Sequence, residues 1–141
     1  MSTDLAAWLL EQITEDEQVA RETNDQMMPR YDWEVRETHP EKLPSVFAAG
    51  EIYFVVHEVY DEAAHHIARW DPARVLSECD AKRRLIELHS RDGGSGYCRL
   101  CESTDPTETD GSHWVLYPCR TLRSLALPYA DRPGYREDWR L

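Results

Sequence analysis

The stretch "GYCRLCESTDPTETDGSHWVLYPC", residues 96–119, gathers three of the chain's four cysteines and one of its six histidines into 24 residues. Cys98 and Cys101 have the Cys-x2-Cys spacing with which one tight turn presents two thiolates to a single ion. Cys119 supplies a third thiolate. A fourth ligand is available on either side: His89, giving His-x8-Cys-x2-Cys-x17-Cys, or His113, giving Cys-x2-Cys-x11-His-x5-Cys. Either set closes all four corners of a tetrahedron with Cys3His donors, the pattern of structural rather than catalytic zinc. His89 ends a helix on its packed side, next to a Gly-rich segment that can fold back, whereas His113 borders an acidic loop. Two rival readings are a redox dithiol and plain free thiols. "GGSGY" before Cys98 does not read as a buried strand delivering a dithiol to a helix N-terminus.

Nothing at the N-terminus pairs a basic region with an apolar one, and the longest apolar run, "IYFVV", is too short to span a bilayer. The chain therefore reads as soluble and cytoplasmic, where thiols stay reduced and a disulfide framework is disfavoured. Its 141 residues suit a single domain, 1–141, with a zinc-binding element at 89–119.

"TDLAAWLLEQITEDEQVARETN" opens with a capping residue, Ser2 or Thr3, ahead of strong helix formers. At about 100° per residue, Leu5, Leu9, Ile13 and Ala20 share one face, while Asp4, Glu11, Glu15 and Glu22 form an acidic spine opposite. Asp16 falls among the apolar positions. Residues 31–37 and 51–59 alternate or are rich in β-branched and aromatic residues and predict two strands, an antiparallel hairpin joined by the loop "THPEKLPSVFAAG". "DEAAHHIARW" predicts a short helix. A second helix follows sharply, with Asp71 as N-cap and Pro72 at the first helical position. On it Val75, Cys79, Lys82, Ile86 and His89 make a stripe, and Cys79 reads as an ordinary core residue. "HWVLY" has strand character, "CRTLRSLALPYA" is a short helix stopped at Pro128, and the tail packs Tyr135 and Trp139. The sum is α+β: an N-terminal helix, a small hairpin, a broken helix pair, and a zinc-clipped C-terminal part with a short helix.

Net charge is −11, and residues 1–62 hold 15 acids against 4 bases, while residues 63–141 hold 12 of each. Such a field repels phosphate backbones, which disfavours generic nucleic-acid binding but suits a basic protein partner or a DNA mimic. "KRR" at 82–84 has acids at helical spacing and reads as a solvated face. "HEVYDEAAHH", with His57, Glu58, Asp61, Glu62, His65 and His66, invites a metalloenzyme reading but lacks the spacing of a zincin or a di-iron bundle. No phosphate loop, dinucleotide fingerprint or nucleophile elbow is present.

Two segments, "HIARWDPARVLSECDAKRRLIELH" (66–89) and "YPCRTLRSLALPYADRPGYREDW" (117–139), resemble the hallmarks of an uncharacterised family encoded by actinobacteria and their phages, and "DEQVAR" extends the likeness over most of the chain. The chain departs from it at Trp70, where the family carries a histidine. The resemblance implies a Cys-x-x-Cys before the "PCRTLR" cysteine and a histidine ending the "AKRR" helix, here Cys98, Cys101, Cys119 and His89. It implies no activity. The reading that follows is a non-enzymatic accessory protein of phage or mobile-element type, held by a structural zinc and working through protein–protein contacts. An acidic DNA mimic or nucleic-acid regulator, and a metal-dependent enzyme using His57–His66, are the alternatives.

Overall fold

The computed structural model describes residues 4–23 and 31–141; Ser2 and Thr3, the expected caps, lie outside them. Among the described residues are four α-helices and two small antiparallel sheets, an α+β fold. The chain divides into two compact units, Met1–Thr14 with Asp80–Leu141, and Glu15–Cys79. The N-terminal helix α1 (Leu5–Glu22) buries Leu5, Leu9, Ile13 and Ala20 as its periodicity predicts, with Trp8 and Gln12 beside them. Asp4, Glu11, Glu15 and Glu22 are exposed and Asp16 is half-buried.

In the Glu15–Cys79 unit, three strands pair in the order β1 (Trp33–Arg36), β2 (Ser45–Ala48), β3 (Phe54–Val56). The expected hairpin is therefore corrected: its two strands do not pair with each other, because β2 lies between them. All four β2 residues are buried, and Val46, Phe47 and Ala48 belong to the core. A central strand buried on both faces shows no alternation, and with Pro44 before it and Gly50 after it, it reads as a loop. Helix α2 (Asp61–Arg69) packs on β1 and β2 and fully buries Ala64. Asp71 ends the connection as expected. One carboxylate oxygen accepts the Arg74 amide at 2.8 Å, capping α3 (Pro72–Leu88), and the other accepts the Trp33 amide at 3.2 Å, tying the helix start to β1.

In the other unit, the last turns of α3 lead into β4 (Tyr97–Glu102), β5 (Trp114–Leu116), α4 (Arg120–Ala126) and a 3-10 turn, Leu127–Tyr129, that contains Pro128. Along the predicted stripe of α3, Cys79, Ile86 and His89 are buried, and Lys82 Nζ donates to the Tyr129 hydroxyl at 2.8 Å. The tail closes on α1. Trp8 meets Tyr135 and Trp139 with ring centroids 5.7 and 5.3 Å away, and its indole N–H donates to the Pro133 carbonyl at 3.1 Å. Gly134, at φ +86°, passes so near this ring that a Cβ would stand 2.9 Å from the indole nitrogen, which only glycine avoids.

Candidate metal centre

After α3 the chain turns back through "DGGSG". The Asp92 amide donates to the Tyr97 carbonyl at 3.0 Å and the Arg99 amide to the Ser90 carbonyl at 2.9 Å, with Arg91 bridging to Cys98. This antiparallel return sets His89 beside the Cys-x2-Cys pair. On its other edge β4 pairs with β5, Tyr97 opposite Leu116 and Glu102 opposite Trp114. Five steps along β4 thus face two along β5, so the residues from Cys98 to Cys101 bulge out of the ladder. The expected tight turn between Cys98 and Cys101 is thus corrected: β4 runs as strand through both cysteines, and the irregularity in its ladder takes the place of a turn. Cys119 arrives after β5 as the residue capping α4.

The convergence is close. His89 Nδ1 lies 3.6 Å from Cys98 Sγ, 3.2 Å from Cys101 Sγ and 3.5 Å from Cys119 Sγ. All four donor atoms fall within 4.8 Å of one another. In a tetrahedral centre with metal–sulfur bonds of about 2.3 Å and metal–nitrogen bonds of about 2.0–2.1 Å, nitrogen and sulfur stand about 3.5–3.6 Å apart, so the donors already have the spacing of a metal site. Cys98 and Cys119 are 1% and 2% exposed, His89 is 9% exposed and Cys101 is half-buried. The cysteines are free thiols, not a disulfide.

The electrostatics ask for a cation. Burial pushes the Cys101 thiol up, and the Cys119 and Cys98 sulfurs facing it push it further. Burial raises the Cys119 thiol too, against the Leu122 amide in the first turn of α4, which pulls it down. Two crowded thiolates repel each other in a poorly solvated place, and a dication among them reverses that balance. The donor set fits such an ion.

His113 is exposed and stands outside the group; of the two candidate fourth ligands the structure brings His89 to the sulfurs. Cys79 is buried elsewhere in its helix and takes no part. The residues from His57 to His66 do not assemble into a metal-ligating group: His65 faces Asp61 at 3.6 Å on the surface of α2, and His57 stacks edge-on against Phe54. Among the described residues, no further His, Cys, Asp or Glu joins the four. What the spacing did not disclose is the strand bulge and the backbone pairing of Ser90 with Arg99 that align the ligands. No helix among the described residues is long and apolar enough to cross a membrane.

No curated protein and no solved structure matches the chain. A family model does, over residues 2–141. The chain belongs to DUF6221, a family of unknown function.

Proposed function

We propose that the chain is a non-enzymatic accessory protein of phage or mobile-element type, stabilised by a structural zinc ion on His89, Cys98, Cys101 and Cys119, and acting through protein–protein contacts in the bacterial cytoplasm. One observation carries it: three sulfurs lie 3.2 to 3.6 Å from a single imidazole nitrogen, and all four donor atoms fall within 4.8 Å of one another. Three thiolates and an imidazole at tetrahedral spacing select zinc over the harder divalent ions. With four protein ligands no position is left for a substrate, which supports a structural role. Bound zinc contributes about 10–16 kcal/mol in small zinc domains, comparable to or above the net stability of a whole domain.

The binding half of the reading is supported by the surface of the Glu15–Cys79 unit. Ile52, Tyr53, Phe54 and Tyr60 are exposed, with Glu51, Glu58, Asp61 and Glu62 around them in sequence. Apolar anchors in an acidic field suit a basic protein partner. The acidic spine of α1, about 27 Å long at 1.5 Å per residue, is what a DNA mimic would use.

Cobalt(II) exchange tests the closed site. A tetrahedral thiolate spectrum that added azide leaves unchanged agrees with four protein ligands, and a spectrum that shifts on azide contradicts it by revealing an open position. A partner bound at low salt and lost on Asp61→Lys with Glu62→Lys supports the contact surface. Binding that survives both changes and high salt removes the charge argument.

A further inference from the structure

Next to the metal centre, within the same unit, three arginines from separate segments line one cavity of about 360 Å³. Arg91 follows His89 by two residues, Arg123 stands on α4, and Arg136 comes from the tail. Tyr117, two residues before Cys119, Asp4 at the head of α1 and Asp138 in the tail are further polar lining residues. None of these positions is contiguous with another arginine of the set in sequence. The fold alone gathers them.

Each guanidinium is held differently. Arg91 lies over the Tyr117 ring, 4.6 Å from its centroid, and has no carboxylate partner among the described residues. Arg123 donates from Nε to the Trp139 carbonyl at 3.1 Å and from a second nitrogen to the Arg140 carbonyl, which orients its planar fork without neutralising it. Arg136 is forked onto Asp138, with Nε 2.9 Å from the carboxylate. The Tyr117 hydroxyl donates to Asp4 at 2.8 Å. Among the described residues that line it, three are positive and two negative, an excess of positive charge in a chain whose net charge is −11. Pro118 and the buried Trp139 contribute apolar surface.

Pre-oriented guanidiniums present paired donors that match the oxygens of phosphate and carboxylate. The cavity's volume falls in the range of about 300–1,000 Å³ found for small-molecule sites, while its lining is richer in charge than most of them, which suits an anionic ligand. We propose that this cavity binds the anionic group, phosphate or carboxylate, of a small molecule whose flat apolar part rests against Pro118 and Trp139. Arg91 and Arg123 hold the anion. Arg136 sets its charge balance through Asp138. Arg91 lies two residues after His89, and Tyr117 and Pro118 immediately precede Cys119, so the stacked Arg91–Tyr117 pair is carried by segments that also carry two of the four clustered donors. The anion site itself does not depend on which metal is bound.

The test is a titration of the metal-loaded, isotope-labelled protein, following the arginine Nε–H resonances, with phenyl phosphate, inorganic phosphate and benzoate as probes. Saturable shifts at Arg91 and Arg123, with none at Arg99, are expected. Arg91→Gln weakens binding at least tenfold with metal content unchanged, and Arg99→Gln, an exposed change on the β4 bulge, leaves it intact. Saturation by phenyl phosphate alone identifies a phosphate ligand, and by benzoate alone a carboxylate. Tighter binding of phenyl phosphate than of inorganic phosphate supports the apolar wall. Shifts that stay linear for every probe, or equal affinity in Arg91→Gln, overturn the proposal. Should a variant fail to fold, the wild-type resonances decide the matter by themselves.

Discussion

His89 Nδ1 and Cys101 Sγ stand 3.2 Å apart although twelve positions separate them in the chain. The backbone return through Gly93 and Gly94 makes that approach, and burial, with the Cys119 and Cys98 sulfurs beside it, raises the Cys101 thiol and disfavours a bare thiolate there. A positive ion among the donors makes the same geometry favourable.

Removing one donor therefore separates the two histidines. His89→Ala loses bound metal and lowers the melting temperature by more than about 10 °C, since several kcal/mol are lost at about 2–4 °C each. His113→Ala keeps both, because His113 is exposed and outside the cluster. Metal analysis alongside a thermal melt checks this, and a metal-free His113→Ala protein contradicts it.

Cys79→Ala retains the metal. Its sulfur is buried and excluded from the four, so the change costs about 1–2 kcal/mol in a urea titration and no metal. Loss of metal in this variant would show that Cys79 is a ligand in solution.

Gly134→Ala costs about 1–3 kcal/mol, from the positive φ and the close approach to Trp8 together. A lower urea midpoint at unchanged slope is the expected signature. An unchanged midpoint would mean that the tail does not sit against α1 in this way.

Glu34 on β1 accepts the Gly50 amide at 3.1 Å, and that bond, followed by the Arg36 guanidinium, lowers its carboxyl from the ordinary 4.5. A depressed folded pKa gives a contribution that is complete above the unfolded value and lost as pH falls through the folded one. The stability difference between wild type and Glu34→Gln is expected to shrink below pH 4.5. A carboxyl titration of Glu34 by NMR with a midpoint at or above 4.5 contradicts it.

Much of this is legible in the amino-acid sequence. Amphipathic period placed α1, a cap followed by proline placed the start of α3, and Cys-x2-Cys with a distant third cysteine pointed to the residues that cluster. Spacing alone admitted His89 and His113 equally; the helical stripe ending at His89 and the family resemblance separated them, because both carry three-dimensional information that spacing lacks. β2 was missed for a physical reason. "SVFA" is four residues long, buried throughout, and bracketed by turn-forming residues, so it shows neither alternation nor length. The arginine cavity left no trace at all, since Asp4, Arg91, Arg123 and Arg136 meet only after the tail returns to α1 and the cysteine segment closes.

Metal content of protein purified without added metal, with thiols counted before and after chelation, tests the central claim most directly. About one zinc per chain is expected, with Cys98, Cys101 and Cys119 protected until the chelator is added and reactive afterwards. Metal-free protein with these thiols reactive from the start, or with Cys98 and Cys101 joined as a reducible disulfide, would contradict it.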